Sequence, residues 1–118
     1  TPLPKDWAVY KINGPLFFAA ADRVFTELEQ LSADKRVVVL YMDAVTLIDA
    51  GGLSAFNRYL EALKPKGTQL IVADLQFQPL KTFAKAQIKP IDQRLVFTPT
   101  LTEAVSMASV DTDQHPQQ

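Results

Sequence analysis

Cysteine is absent from the chain, and histidine occurs once among its 118 residues. The absence of cysteine excludes a disulfide framework, a thiolate zinc site and a cysteine nucleophile together. His115 stands in a polar C-terminal stretch, so the folded part offers no histidine cluster for a metal or a catalytic triad. We therefore expect neither a metal site nor a cofactor.

Long apolar runs and an excess of one charge are missing too. The run Val37–Met42 is far shorter than the ~18–20 residues that cross a bilayer, and no signal peptide is recognisable at the N-terminus. A net charge of −1 and a pI near 5.7 argue against nucleic-acid binding. Because the chain opens Thr-Pro-Leu-Pro without methionine, we expect it to be a piece of a longer protein.

Motifs for catalysis are also missing. The sequence contains no Gly-x-Ser-x-Gly elbow, no Walker loop and no Gly-x-Gly-x-x-Gly fingerprint. Asp43 follows a buried strand, where a receiver domain carries its phosphorylated aspartate, but the acidic pair and the lysine that this chemistry needs do not follow the first and last strands. We interpret Asp43 as a turn or cap residue and predict that the protein is not an enzyme.

The residues that are present suit one globular domain, with 47% apolar and 21% charged side chains. Hydrophobic periodicity predicts strands at 7–12, 36–42, 69–73 and 95–97, helices at 19–31, 51–63, 77–87 and 100–108, and a short strand or lead-in at 16–18. This alternation predicts an α/β fold with a mainly parallel sheet of about four to five strands and about four helices. We expect a linker over 1–6, the domain over 7–109 and a disordered tail over 110–118.

The segment Asp49-Ala50-Gly51-Gly52-Leu53 lies between a buried strand and the second helix. Asp49 is placed to cap this helix, and the two glycines allow a close approach of a neighbour or a ligand. Free N–H groups at a helix start also favour an anion. Two interpretations stay open: a capped turn, or a site for an anion such as a nucleotide phosphate.

Basic residues are concentrated in the second half of the chain, since 64–94 holds six basic and two acidic residues. Lys81 and Lys85 share a helix face, and Lys89 and Arg94 follow. These four side chains either form a patch that faces an acidic protein or anionic lipid headgroups, or are simply solvated.

Two segments carry a resemblance to a known family. Gly14-Pro15-Leu16-Phe17-Phe18 is similar to a segment typical of the SulP branch of STAS domains, and 47–53 occupies the place of the family's Asp-Ser-Ser-Gly-Leu segment. Residues 7–108 thus resemble a STAS domain. In the anti-sigma-factor-antagonist branch of this family, the second serine of that segment is phosphorylated. Gly51 stands at its place here, so this switch is chemically excluded.

The resemblance implies a STAS-like fold and a non-catalytic regulatory domain of a bacterial SulP-type anion transporter for sulfate, bicarbonate or dicarboxylates. Such a domain lies at the cytoplasmic face of the inner membrane. Implied partners are the transmembrane part of the same transporter, a small acidic protein such as an acidic carrier protein, and in some members a nucleotide. A homodimer through the full-length transporter is compatible with this. Alternatives are a free-standing antagonist-like regulator, against which Gly51 and residues 15–18 argue, and a nucleotide-sensing module.

Overall fold

Four parallel strands form one sheet in the order β1-β2-β3-β4. The computed structural model describes the backbone of residues 3–114 and the side chains of residues 3–110. The elements in chain order are β1 (Trp7–Asn13), α1 (Phe18–Leu31), β2 (Val37–Ala44), α2 (Ala50–Leu63), β3 (Gln69–Ala73), α3 (Phe77–Lys85), β4 (Leu95–Thr98) and α4 (Leu101–Gln114). A 3-10 turn, Lys64–Lys66, joins α2 to β3. The predicted α/β fold with a parallel sheet is confirmed.

The first face of the sheet is covered by α1, α2 and α3. Sequential parallel strands need a crossover after each strand, and crossovers of one hand place their helices on the same face. Aromatic rings connect these helices to each other and to β4. Ring centroids lie 6.0 Å apart for Phe25 and Phe56, 4.9 Å for Phe56 and Phe83, and 6.0 Å for Phe83 and Phe97. These edge contacts join three helices and one edge strand into a single core.

The second face is covered by α4, which packs small residues against the central strands. Ala104 and Ala108 are buried with Val39 and Ile71. Leu3 packs against the same cluster, and Asp6 O accepts hydrogen bonds from the N–H groups of residues 36 and 37. Residues 3–6 therefore lie against the domain, although the sequence predicts a linker there.

Element boundaries differ from prediction where local contacts override periodicity. Residues 16–18 form no strand, because Leu16 makes only an isolated bridge to Ile48. α3 ends two residues early, and Gln87 beyond it has a left-handed φ of 58°. α4 continues to Gln114, so residues 110–114 are helical where a disordered tail was predicted, since each added residue gains a helical hydrogen bond. The rest of that tail, with His115, lies outside the described residues.

The inward stripe of α1 also ends differently from prediction. The sequence predicts Leu31 as its last buried residue, but Leu31 is 47% exposed. Ser32 takes the inward position instead, because it follows Leu28 by four residues. Its Oγ lies 2.6 Å from Leu28 O and 2.7 Å from the hydroxyl of Tyr59.

None of the helices in the described part of the chain is long and apolar enough to cross a membrane.

Candidate functional site

The two segments singled out in the sequence lie side by side at the carboxyl end of the sheet. Leu16 N–H donates to Leu47 O at 2.9 Å, and Asp49 N–H donates to Leu16 O at 3.4 Å. Leu16 and Ile48 are 1% exposed and form the buried base of this contact. Residues 14–18 and 49–53 therefore belong to one site, which the sequence described only as two separate segments.

Asp49 ties the starts of two helices together. Its Oδ1 accepts a hydrogen bond from Gly52 N–H at 2.7 Å, which caps α2 as predicted. Its Oδ2 accepts a longer bond of 3.4 Å from Phe18 N–H, at the first residue of α1. A carboxylate at two helix N-termini is stabilised by both helix dipoles. Because the protein supplies its own anion here, the geometry favours the capped turn over a site for an external anion or nucleotide.

The two glycines of this turn are required by close packing. A Cβ at Gly51 would lie 2.7 Å from Phe18 Cδ2 and 2.9 Å from Phe18 Cα. A Cβ at Gly52 would overlap Leu16 O and approach Ile48 Cγ1 to 2.6 Å. Each glycine thus admits a neighbouring part of the same chain, so the close approach expected from the sequence is made by the segment 16–18.

Phe18 also covers Gly51, the position that the resemblance aligns with the phosphorylated serine of the antagonist branch. Gly51 has no hydroxyl, and the Phe18 side chain packs directly on its Cα. Ser54 is exposed one turn further along α2, but it does not match the family position. At the position where the resemblance places a serine that is phosphorylated in the antagonist branch, this chain therefore has an apolar contact between α1 and α2.

Exposed apolar side chains surround this base. Phe17, Phe18 and Leu47, which we call the apolar rim, are 46%, 70% and 43% exposed. The start of α3 joins the same end of the molecule through Gln78, whose amide accepts from Ile48 N–H at 2.9 Å and donates to Ile48 O at 3.0 Å. Sequence reasoning missed Gln78, because no local pattern marks a side chain that bonds a backbone segment thirty residues away.

The predicted basic patch divides into two parts. Lys81, Lys85 and Lys89 are exposed on or just after α3. Arg94 instead donates to Leu60 O at 3.0 Å and to Glu61 Oε2 at 3.1 Å, near the end of α2. The Arg94 guanidinium is stabilised here because it donates hydrogen bonds both to a backbone carbonyl near a helix C-terminus and to a carboxylate.

A polar cluster lies at the same end of the second sheet face. Asp43 lies inside β2, in contrast to the predicted turn or cap, and its Oδ1 is 3.6 Å from Lys11 Nζ. Lys11 also lies over the ring of Tyr41, 5.5 Å from its centroid. The hydrogen bond to Asp43 and partial desolvation raise the pKa of Tyr41. Among the described residues, no three acidic or histidine side chains converge into a group that could hold a metal ion.

Known proteins resemble the chain over nearly its whole length. The sequence model of the STAS domain family matches residues 2–104. A sulfate transporter family protein from Wolinella succinogenes is 25% identical, with a TM-score of 0.79 over 96% of this chain and 93% of that one. No curated protein matches the chain by sequence.

Two further structures share the fold. The SulP transporter STAS domain from Vibrio cholerae is 22% identical, with a TM-score of 0.76 over 96% of this chain and 88% of that one. The anti-sigma factor antagonist SpoIIAA, in its unphosphorylated form, is 12% identical, with a TM-score of 0.64 over 97% of this chain and 94% of that one. In both identity and backbone geometry, the chain is more similar to the two transporter-related structures than to SpoIIAA.

Proposed function

The chain belongs to the STAS domain family, and from this premise we propose that it is the non-catalytic, cytoplasmic regulatory domain of a SulP-type membrane anion transporter. In this role the domain acts through protein contacts at the inner membrane of a bacterium. The apolar rim contacts the transmembrane part of the same transporter. Sulfate, bicarbonate or dicarboxylates are the class of anion that the whole transporter moves.

The packing of Phe18 on Gly51 is the observation that carries this proposal. Gly51 lacks the hydroxyl that the resemblance places there in the antagonist branch, and the Phe18 side chain packs against it, so α1 and α2 are in contact at this point. A domain that stays attached to its partner has no need of a phosphate that releases it. The Phe17-Phe18 pair, typical of the SulP branch, also supplies two of the three exposed side chains of the apolar rim.

The rim itself supports contact with a protein. Exposed apolar side chains that adjoin one another mark interaction sites on otherwise soluble domains. Beneath the rim, Leu16 and Ile48 are buried and Asp49 fixes two helix starts, so the exposed side chains stand on a rigid base. A rigid, apolar surface loses little conformational entropy when it docks.

Cell fractionation followed by a denaturing gel tests the proposal. With an antibody against this domain, we expect a band in the membrane fraction that is several times larger than 13.1 kDa. A band of about 13 kDa in the soluble fraction would overturn the proposal and favour a free-standing antagonist-like regulator. Uptake of labelled sulfate, bicarbonate and dicarboxylates by membrane vesicles then identifies the transported anion.

A further inference from the structure

The outer side of α3 combines apolar and basic side chains in one stripe. Phe77, Leu80, Lys81 and Lys85, which we call the α3 face, project from the same side because they recur at three and four residues. Phe77 is 76% exposed and Leu80 is 53% exposed. The opposite side of the helix holds the buried Phe83, which anchors α3 in the core. The α3 face is therefore held on the surface of the domain.

Charge on this face has a single sign. The helix Phe77–Lys85 contains two lysines and no acidic residue, and the exposed Lys89 follows it. Lys81 Nζ lies over the Phe77 ring, 5.1 Å from its centroid, in a cation–π contact. An occupant of this face must offer apolar material to Phe77 and negative charge to the lysines.

We propose that the α3 face lies on an anionic lipid surface, with Phe77 and Leu80 below the headgroups and the lysines among them. An amphipathic helix at a membrane interface has this arrangement, with aromatic and leucine side chains on one side of a lysine border. The long lysine stems also let the ammonium groups reach headgroup phosphates while the helix lies flat.

The composition of the face favours lipid over an acidic protein. Protein interfaces are enriched in arginine and in aromatic residues, phenylalanine included, but they are depleted in lysine. The α3 face has lysine and no arginine, while the nearby Arg94 is directed to Leu60 and Glu61 on α2. This inference rests on the proposed function in one respect only, since a domain attached to a transporter is held within reach of a bilayer and needs little intrinsic affinity.

A fluorophore on a single cysteine tests lipid contact directly, because the chain has no cysteine of its own. Ala84 lies exposed within the α3 face, so Ala84→Cys places an environment-sensitive probe there. We expect a blue shift with phosphatidylglycerol-containing vesicles and none with pure phosphatidylcholine. The matched label at Glu27→Cys, exposed on α1, should report no shift. Equal signals at the two positions would overturn the proposal.

Charge-reversed variants distinguish binding through the α3 face from a general electrostatic attraction of the whole domain to anionic vesicles. Lys81→Glu with Lys85→Glu should weaken partitioning to the anionic vesicles about thirtyfold. Lys64→Glu with Lys66→Glu changes the net charge equally at the 3-10 turn and should have a much smaller effect. Phe77→Ser with Leu80→Ser should abolish the blue shift of the probe while the thermal unfolding midpoint stays nearly constant.

Other outcomes of these experiments would identify a different partner for the α3 face. If no shift occurs with anionic vesicles and the Lys81→Glu, Lys85→Glu variant loses binding to a purified acidic carrier protein, the face binds protein and the lipid proposal is wrong. Failure of the vesicle experiment leaves cell fractionation unaffected, so a band in the membrane fraction would still support the proposed function. A soluble band near 13 kDa, together with vesicle binding, would contradict the transporter assignment alone.

Discussion

The buried base of the site and the apolar rim above it differ in what they contribute. The base consists of Leu16, Ile48 and the two glycines, which are packed with no room for a methyl group. The rim side chains are about half exposed or more. Closely packed residues determine stability, and exposed ones are free to serve recognition. We therefore expect substitutions in the base to destabilise the domain and substitutions in the rim to uncouple it from its partner.

The largest effect is expected at Gly52. Gly52→Ala forces a methyl group onto Leu16 O, which belongs to the backbone and cannot move without breaking the Leu16–Ile48 bridge. We expect a loss of about 3 kcal/mol in the free energy of unfolding. Gly51→Ala meets the Phe18 ring, which can turn away, but also Phe18 Cβ and Cα at 2.8 and 2.9 Å, so the start of α1 must shift and about 2 kcal/mol is expected.

Urea unfolding of the two alanine variants measures this difference. Equal losses would show that the base is not more tightly packed at Gly52 than at Gly51. A third variant, Gly67→Ala, serves as a reference, because a Cβ there meets no atom within 4 Å but the φ of 69° is left-handed. It reports the cost of backbone strain without any packing conflict.

A smaller effect is expected at Asp49, which links the base to the rim. Asp49→Ala removes the cap of α2 and the acceptor for Phe18 N–H, and should cost about 1–2 kcal/mol. Asp49→Asn keeps an oxygen for Gly52 N–H and should retain most of the stability. Thr100→Ala removes a cap from α4, where Thr100 Oγ1 accepts from Glu103 N–H, and should cost about 1 kcal/mol. If Asp49→Ala lowers the free energy of unfolding no more than Thr100→Ala does, the bond from Phe18 N–H to Asp49 adds nothing to the cap of α2.

Alkaline pH should weaken the packing between α1 and α2 at Tyr59 without changing any residue of the rim. Burial raises the pKa of Tyr59 from 10.0 to about 12, and the hydrogen bond with Ser32 opposes this rise. Below pH 10 the hydroxyl is protonated in both states, and its contribution to stability is complete. Between pH 10 and 12 only the unfolded chain ionises, so stability falls as pH rises.

The expected loss is about 1 kcal/mol at about pH 11 relative to neutral pH. Urea unfolding at both pH values measures it, and Tyr59→Phe should remove the part of the loss that is due to this hydroxyl. The variant keeps the ring contact with Phe25, 5.5 Å between centroids, and gives up the bond to Ser32. An unchanged pH dependence in Tyr59→Phe would show that other groups cause the alkaline loss.

The regular elements were predictable because their residues repeat with a fixed period. β3 occupies 69–73 as predicted, and α2 begins one residue before its predicted start. The wrong prediction that Leu31 is buried shows the limit of this reasoning. The spacing of the buried residues fits Ser32 as well, but a search for apolar side chains passes over a serine. A buried serine is stabilised by its hydrogen bonds to Leu28 and Tyr59, and no count of apolar residues reveals those partners.

The sequence indicates the two segments that meet at the candidate site, but not how they assemble. The sequence indicates that Asp49 caps a helix and that Gly51 and Gly52 admit a close neighbour. It does not identify Leu16 and Phe18 as that neighbour, because the contact joins residues more than thirty positions apart. The same is true of Gln78, whose amide fits the backbone of Ile48 only after α3 has packed.

The smallest effect on stability, and the largest on function, is expected at the apolar rim. Phe17→Ser with Leu47→Ser should lower the free energy of unfolding by about 1 kcal/mol, because both side chains are only about half buried and a serine at 17, the N-cap position of α1, offsets part of the lost burial. In the full-length transporter, the same pair should reduce anion uptake about tenfold, because two apolar anchors of the contact with the transmembrane part are lost. Leu31→Ser is the matched control, since Leu31 is 47% exposed at the far end of α1. Equal uptake by the rim variant and this control would show that the rim does not couple the domain to transport. Loss of uptake by the rim variant alone, at unchanged abundance in the membrane, would separate the stabilising base from the recognising rim.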